Sequence, residues 1–584
     1  MTVSAPFPLP DLDRLTLRQQ IAQMVVVRAS GFLFDAQIRY PAWEPIASVL
    51  ESWIQELGVG GVILLGGGAA EVALRTHEFQ RWAPVPLLIA ADIEEGVGQR
   101  FGGATQGPPL MALGALAQQD LPQALTLAHN LGAMTAAEAQ AIGLNWLLGP
   151  VVDVNNNPAN PVINVRSFGD DPQLVGQLAA AFIAGAHQSP ILTAAKHFPG
   201  HGDTAIDSHL SLPVIPHDRS RLNAIELPPF RAAIEAGVDA VMSAHLQIPA
   251  LDAQLPATLS RSILTQLLRQ DLGFGGLIVT DALVMGAIAR HYGANEAPVM
   301  AVEAGADILL MPVDPPGAIE AVAQAVEAGR ISPERIRESV ARIWQAKGKV
   351  FQAADRQAAD VPPSAIDLRG QLGQPQHQAT VTAILEGSLG GGNGVLALPR
   401  SPETPETSDR TLAQEALENL GTLAELTPEA AIDSPADTPT QRPIARNLIV
   451  VDDAIASDFL GQFVPAIAWP RQWGIGQLQI VDSYSPVDFE AIGSLAAQQP
   501  TLLQIFARGN PFRGSANLTQ GAIAWLKALQ ESHQLAGVIL YGSPYLLETM
   551  RPLLGSKIPY RFSYGQMPRA QAIALGSLFN QVMP

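Results

Sequence analysis

Eight short runs rich in Val, Ile and Leu, at 24–27, 61–65, 87–91, 144–148, 191–195, 240–244, 277–280 and 308–311, constrain this chain more than any other feature. Each is apolar almost throughout, the pattern of a parallel strand buried on both faces rather than the alternation of a half-exposed one. Helix-like segments at 120–142, 172–187, 219–236, 260–272 and 315–328 lie between them. Residues 332–350 read as a closing helix, with Ser332 at the N-cap and Pro333 at the first helical position. Eight β/α alternations predict an α/β fold, a (β/α)8 barrel of the TIM type. Inserted loops are expected, because the span exceeds the ~250 residues usual for that fold. A doubly wound open sheet is the alternative.

The chain has 584 residues, too many for one compact core. The barrel is assigned to 1–351 and a polar linker containing Pro362 and Pro363 to 352–379. A smaller α/β sandwich is assigned to 380–584, with strands expected at 394–398, 447–451, 501–506 and 537–541 and helices at 411–420 and 518–529. Within it, 401–443 is rich in Pro, Thr, Glu and Asp and reads as an exposed excursion. The stretch E-G-S-L-G-G-G-N-G (386–394) lacks the G-K-[ST] of a phosphate loop and reads as a flexible loop, and Gly66–Gly68 as a close backbone turn.

Apolar residues make up 47% and charged ones 15%, which fits a globular enzyme with large buried cores. A net charge of -19 argues against nucleic acid or an anionic membrane as partner. There is no cysteine, which excludes disulfides and zinc-thiolate sites. No apolar run approaches the ~18–20 residues of a membrane span, and the N-terminus lacks the basic and apolar regions of a signal peptide, so a cytoplasmic protein is the expectation.

A barrel puts its chemistry just past the C-terminal ends of its strands. Ionisable residues stand there: Asp92 after the third run, Asp153 soon after the fourth, Lys196 and His197 after the fifth, His245 after the sixth and Asp281 after the seventh. The densest cluster is A-K-H-F-P-G-H-G-D-T-A-I-D-S-H-L (195–210), read as a loop because Pro199, Gly200 and Gly202 break it up. His197, His201 and His209 space as H-x3-H-x7-H, but Lys196 would set a cation beside any metal they held, and no metal site is assigned. Asp207 stands two residues before His209, the arrangement of a carboxylate orienting an imidazole for proton transfer. Ser208 lacks the glycines of a nucleophile elbow. Asp281, in L-I-V-T-D-A-L-V-M-G-A-I, either caps the following helix or acts as a nucleophile.

K-H-F-P-G-H-G-D-T-A-I-D-S-H (196–209) and T-D-A-L-V-M-G-A-I (280–288) resemble the two signatures of family 3 glycoside hydrolases, in their β-N-acetylglucosaminidase branch. A-D-I-E-E-G-V-G-Q-R-F (91–101) resembles the family's D-Q-E-G-G-R-V-Q-R-F. G-P-V-V-D-V-N-N-N-P (149–158), N-V-R-S-F-G-D-D-P (164–172) and M-S-A-H-L-Q-I-P-A-L-D (242–252) also fit, and P-Y-R-F-S-Y-G (559–565) resembles the sandwich of two-domain members. Ile93, Glu95, Val97 and Gly98 depart from the first motif, and Val97 stands where the family usually has arginine.

The resemblance implies Asp281 as catalytic nucleophile, His209 as general acid/base and Asp207 as its partner. It implies that Asp92, Arg100, Arg166, Lys196 and His197 bind a terminal N-acetylglucosamine, with no cofactor. The expected activity is retaining exo-β-N-acetylglucosaminidase, acting on carbohydrate such as peptidoglycan-derived muropeptide fragments. A β-N-acetylglucosaminide phosphorylase or β-glucosidase of the same family, and a catalytically silent sugar-binding protein, are the alternatives. Two carboxylates do this work in most glycosidases, so a histidine acid/base is a departure that rests on the resemblance and the D-x-H spacing.

Overall fold

A computed structural model describes residues 9–205, 212–351, 363–398, 443–454, 457, 459–482, 499–508 and 516–581. The eight apolar runs form strands β1 (Val25–Ala29), β2 (Gly61–Leu64), β3 (Leu88–Ala91), β4 (Trp146–Leu147), β5 (Leu192–Phe198), β6 (Ala240–Ser243), β7 (Leu277–Val279) and β8 (Leu309–Leu310). Every residue of all eight is buried, because helices cover the outer face and the strands' own side chains fill the inner one.

The strands pair in parallel in chain order, and β1 pairs with β8 through Val25↔Leu309 and Val26↔Leu310. A parallel bridge from Val279 to Ile308 joins β7 to β8, so the sheet closes on itself as a barrel and the open-sheet alternative is excluded. Aspartate–proline and serine–proline pairs start three of the surrounding helices. Asp171, Asp314 and Ser332 each accept a first-turn amide and are followed by proline, which has no amide to leave unsatisfied there. The expected helix at 219–236 is two, Arg219–Ala224 and Leu227–Glu235. Pro228 and Pro229 lack the N–H groups that a continuous helix would need, so they are confined to the first turn of the second. Phe230 on that helix meets Phe198 of β5 edge to face, with ring centroids 5.1 Å apart, and steadies the strand that carries Lys196.

The strand β5 runs to Phe198, so Lys196 and His197 belong to it rather than to a loop beginning at 196. Their polarity reads as a strand end, but both side chains have buried partners, Glu94 for Lys196 and Asp153 for His197, which removes the reason for the strand to stop.

The second unit is a sheet of six strands: β9 (Gly390–Gly392), β10 (Arg446–Val451), β11 (Gln477–Val481), β12 (Thr501–Ala507), β13 (Leu535–Gly542) and β14 (Tyr560–Ser563). Their order is β9-β14-β13-β12-β10-β11, parallel except for β9 against β14. The strand expected at 394–398 does not form; β9 lies earlier, in the glycine-rich stretch read as a flexible loop. Those glycines admit close packing on β14, since a Cβ at Gly391 or Gly392 would come within 2.8 Å of Arg561 or Tyr560. β11 and β14 escape the sequence pattern because polar residues interrupt them; three residues of β11 are exposed at the sheet edge. The helix expected at 518–529 spans Ala516–Glu531. The helix expected at 411–420, and the acidic 401–443 stretch apart from Pro443, fall outside the described residues.

Between the two units, within the stretch read as linker and just past it, lie the helices Ala365–Arg369 and Pro375–Gly387. The second docks on barrel helix Leu121–Ala141 through a buried carboxylate: Glu138 accepts from His377 Nδ1 at 2.7 Å, from Gly373 N at 2.9 Å and from Thr105 N and Oγ1 at 2.7 Å each. Among the described residues no helix is long and apolar enough to cross a membrane.

Candidate active site

Four strand ends converge at the C-terminal mouth of the barrel. Asp92 follows β3 directly, and Lys196 on β5 reaches across to it, Nζ to Oδ1 at 2.7 Å. The same ammonium lies 2.6 Å from Glu94 Oε1. Arg166 grips Glu94 from the other side as a two-pronged fork, Nε to Oε2 at 2.8 Å and Nη2 to Oε1 at 2.7 Å, while its Nη1 donates to Val162 O at 3.0 Å. Two cations and two carboxylates thus form one connected cluster.

Burial decides its energetics. The Lys196 side chain is 1% exposed and that of Glu94 3%, whereas Asp92 keeps 28% of its side chain in contact with solvent. Burial works against the charged form of Glu94, yet Arg166 and Lys196 outweigh it and hold the carboxyl well below the usual range. Burial likewise works against the Lys196 ammonium, but Asp92 and Glu94 raise its pKa above the ordinary value. Lys196 is therefore a fixed cation, and Asp92 is the member of the cluster that faces outward.

A second set is built around Asp153, a fully buried carboxylate in the loop after β4. Its Oδ1 accepts the backbone N–H of His197 at 3.1 Å and of His201 at 2.7 Å, and its Oδ2 accepts His197 Nδ1–H at 2.8 Å. Burial disfavours the carboxylate, but the two histidines and these bonds hold its pKa below the ordinary value. With Nδ1–H committed to Asp153, a neutral His197 ring keeps Nε2 as its acceptor atom. Burial pushes the pKa of His201 down to about 4, so this ring is neutral at pH 7; its Nδ1 meets Thr204 Oγ1 at 3.0 Å. Asn160 ties the two loops together: its Nδ2 donates to His201 O at 2.9 Å and Gly202 O at 2.8 Å, and its Oδ1 accepts Val162 N and Ile163 N at 2.9 Å each. That anchorage sets the short turn Asn164–Arg166 and so the origin of the Arg166 side chain.

Asp281 stands two residues past the end of β7. The next helix begins at Gly286 with Met285 as its N-cap, so Asp281 is not a helix cap. Its Oδ1 accepts the N–H of Ala282 at 2.7 Å, and its charge is felt by His201. The strand end is pinned by Leu310 N donating to Thr280 Oγ1 at 2.9 Å, and by His245 Nε2 donating to Ala282 O at 3.1 Å. His245 is wholly buried and holds the Asp281 segment through the backbone.

Arg100 donates through Nε to Asp92 O at 3.2 Å and is exposed. It is placed by a two-residue parallel pairing of Gly67 and Gly68 with Phe101 and Gly102, so the glycine turn after β2 steers the Arg100 segment toward β3. Asp207 and His209 lie outside the described residues. Of the other sequence-derived site residues, Asp92, Arg100, Arg166, Lys196 and His197 are gathered by these contacts, directly or through Glu94 and Asp153, and Asp281 stands at the same end of the barrel, just past β7. Glu94 carries both cations yet is absent from the sequence-derived set, although it matches the motif's own glutamate; Asp153 is noted there only for its place after a strand. The signal for both was available: a carboxylate after a buried strand needs a partner, and lysine, arginine and histidine wait at other strand ends. Among the described residues no group of three or more His, Asp and Glu side chains is arranged to hold a metal ion.

The closed β/α barrel carries its paired carboxylates and buried cations at the C-terminal ends of its strands, where barrel enzymes build their active sites. Residues 16–346 match the glycosyl hydrolase family 3 N-terminal domain, and 438–580 the bacterial glycosyl hydrolase family 3 C-terminal domain. The chain belongs to glycosyl hydrolase family 3, in both of its domains. It is 34% identical over 360 residues to a beta-hexosaminidase A of Pseudoalteromonas piscicida, covering 56% of this chain and 58% of that one. A beta-hexosaminidase of Thiobacillus denitrificans is 40% identical over 273 residues, 46% of this chain and 75% of that protein. A family 3 beta-N-acetylglucosaminidase from Paenibacillus sp. str. FPU-7 has a solved structure that superposes on 97% of this chain and 97% of its own, at a TM-score of 0.73 and 30% identity.

Proposed function

We propose that this chain is an exo-acting β-N-acetylhexosaminidase that removes terminal β-linked N-acetylglucosamine with retention of configuration. The observation that carries the reading is the Asp92–Lys196–Glu94–Arg166 cluster at the same barrel mouth as Asp281. A pyranose presents vicinal hydroxyls that both donate and accept, and an outward carboxylate beside fixed cations offers both kinds of partner. The relatives named above are hexosaminidases, which supports N-acetylglucosamine as the sugar.

In this reading Asp92, Arg100, Lys196, Arg166 and His197 hold the terminal sugar. Asp281 attacks the anomeric carbon as the glycosidic C–O bond breaks, giving a covalent glycosyl-enzyme. His209, oriented by Asp207, gives its proton to the departing oxygen and then takes one from the water that attacks the same carbon and releases Asp281. The Ala282 N–H on Oδ1 supports the reading, because it fixes the orientation of the carboxylate at the strand end. Residues 1–351 are the catalytic unit, 352–379 the connection and 380–584 the sandwich domain. Muropeptide fragments ending in N-acetylglucosamine are the proposed substrates.

The test is release of nitrophenol from p-nitrophenyl β-N-acetylglucosaminide, with and without phosphate, with the anomer of the first sugar product followed by NMR. Release of the β-anomer without phosphate is the expected result. An α-anomer refutes the double displacement, a phosphate requirement makes the protein a phosphorylase, and faster turnover of the β-glucoside refutes the assigned sugar.

A further inference from the structure

The loop that carries Asp92 and Glu94 is held from the second domain. Arg508, the residue after β12, forks onto Glu95: Nη1 donates to Oε2 at 2.9 Å and Nη2 contacts Oε1. The Glu95 side chain is fully buried, while that of Arg508 keeps 23% exposure. The sandwich therefore inserts a cation to neutralise a carboxylate that the barrel has buried. Glu95 is the direct neighbour of Glu94, and the two amides share one acceptor: Gln99 Oε1 takes Glu94 N at 2.8 Å and Glu95 N at 3.0 Å. The backbone is closed by Gly107 N donating to Glu95 O at 2.6 Å, and Gly96, at a φ of +81°, sits so close to Thr105 O that a Cβ there would approach to 2.7 Å. In so tight a loop Glu95 cannot turn without carrying Glu94 with it.

A second contact repeats the arrangement. Tyr545, in the helix after β13, takes a hydrogen bond from Asn155 Nδ2 at 2.6 Å, and Asn155 Oδ1 accepts Asn164 N at 2.9 Å. Asn155 lies two residues from Asp153 and Asn164 two from Arg166. Both of these contacts between the sandwich and the barrel thus fall beside residues of the candidate sugar site. Glu95 also stands where the family motif has glycine.

We propose that Arg508 is a positioning residue: through Glu95 it fixes the 92–99 loop in its sugar-binding form, so the affinity of the barrel for its terminal sugar depends on the sandwich domain. The proposal rests on the reading of Asp92 and its cluster as the sugar contact. It predicts an asymmetry. Removing Arg508 leaves a buried carboxylate unpaired, and the loop must rearrange or water must enter. Removing Glu95 leaves an arginine that already reaches solvent, a smaller disturbance.

The experiment measures KM and kcat on p-nitrophenyl β-N-acetylglucosaminide, and inhibition by free N-acetylglucosamine, in the full-length wild type, R508A, E95A and the double variant, with active sites counted. R508A is expected to raise KM and the inhibition constant at least about tenfold, with kcat changing less. The double variant should resemble E95A rather than add the two losses. A merely structural role would lower the active fraction and leave KM and the inhibition constant where they were, which overturns the proposal, as would additive losses. If R508A does not fold, R508K and E95Q replace it; R508K keeps the charge but not the fork, and wild-type KM in both refutes the proposal. A wild type that neither cleaves the substrate nor binds the sugar would overturn the functional reading itself, and this proposal with it.

Discussion

Glu94→Gln isolates the physics of the site. Glu94 is buried, accepts two charge-assisted hydrogen bonds from Arg166 and pairs with the Lys196 ammonium. Glutamine keeps the shape but loses the charge, and its amide nitrogen must face a guanidinium or an ammonium. Breaking a buried ion pair by removing one partner costs about 3–5 kcal/mol. Lys196 retains Asp92, so its share of the loss is smaller, but Arg166 keeps only Val162 O among the partners described above. An overall destabilisation of about 3–4 kcal/mol follows. The pH dependence provides an internal control. The folded pKa of Glu94 lies below its unfolded value of ~4.3, so its contribution is present above ~4.3 and is lost as pH falls toward the folded value. The gap between wild type and Glu94→Gln should be full at pH 7 and narrow below pH 4. Loosened cations should also weaken sugar binding by one charged hydrogen bond, about 1.5–3 kcal/mol or roughly 10–150-fold in kcat/KM. Urea unfolding followed by circular dichroism at pH 7 and at steps below pH 4 measures the first effect, and steady-state kinetics the second. Equal stability at pH 7, or a gap that does not change on acidification, would refute this account of the cluster.

Asp281→Ala should abolish nearly all turnover whatever the leaving group, while His209→Ala should lose about 10²–10⁴-fold in kcat/KM on a natural disaccharide and far less on a nitrophenyl substrate, whose leaving group needs no proton; equal losses on both substrates would refute the assignment of roles. EDTA should leave activity unchanged, since Lys196 occupies the carboxylates that a metal would need; loss restored by Zn²⁺ would refute this. Lys347 is buried, with its Nζ 2.7 Å from Gln23 Oε1, and burial lowers its pKa to about 7. Because the unfolded chain binds that proton more tightly, stability should climb between pH 7 and about 10, and Lys347→Met should flatten the climb; an unchanged pH profile of urea unfolding in the variant would disprove the link.

How much of this was legible in the chain depends on how local the cause is. The barrel was legible because burial on both faces makes each strand apolar throughout, and that pattern is written in consecutive residues. Helix starts at Asp171, Asp314 and Ser332 were legible for the same reason, a capping side chain followed by proline. Strand β11, with three exposed residues, and β9, built of three glycines, have no such local signature. The extension of β5 through Lys196 and His197 reads as a strand end, because its polar residues are stabilised by Asp92, Glu94 and Asp153, which follow other strands.

Residue types at strand ends, together with the family motifs, marked Asp92, Arg100, Arg166, Lys196, His197 and Asp281 from sequence alone. Which of them touch was decided by tertiary structure. Glu94 is separated from Lys196 by about a hundred positions and from Arg166 by 72, and only closure of the barrel brings the three together. Arg508 lies 413 positions from Glu95, in another domain. A buried charge must find its opposite. The sequence states that requirement through a carboxylate beside an apolar run, but the partner is chosen by the geometry of folding, which no local pattern encodes.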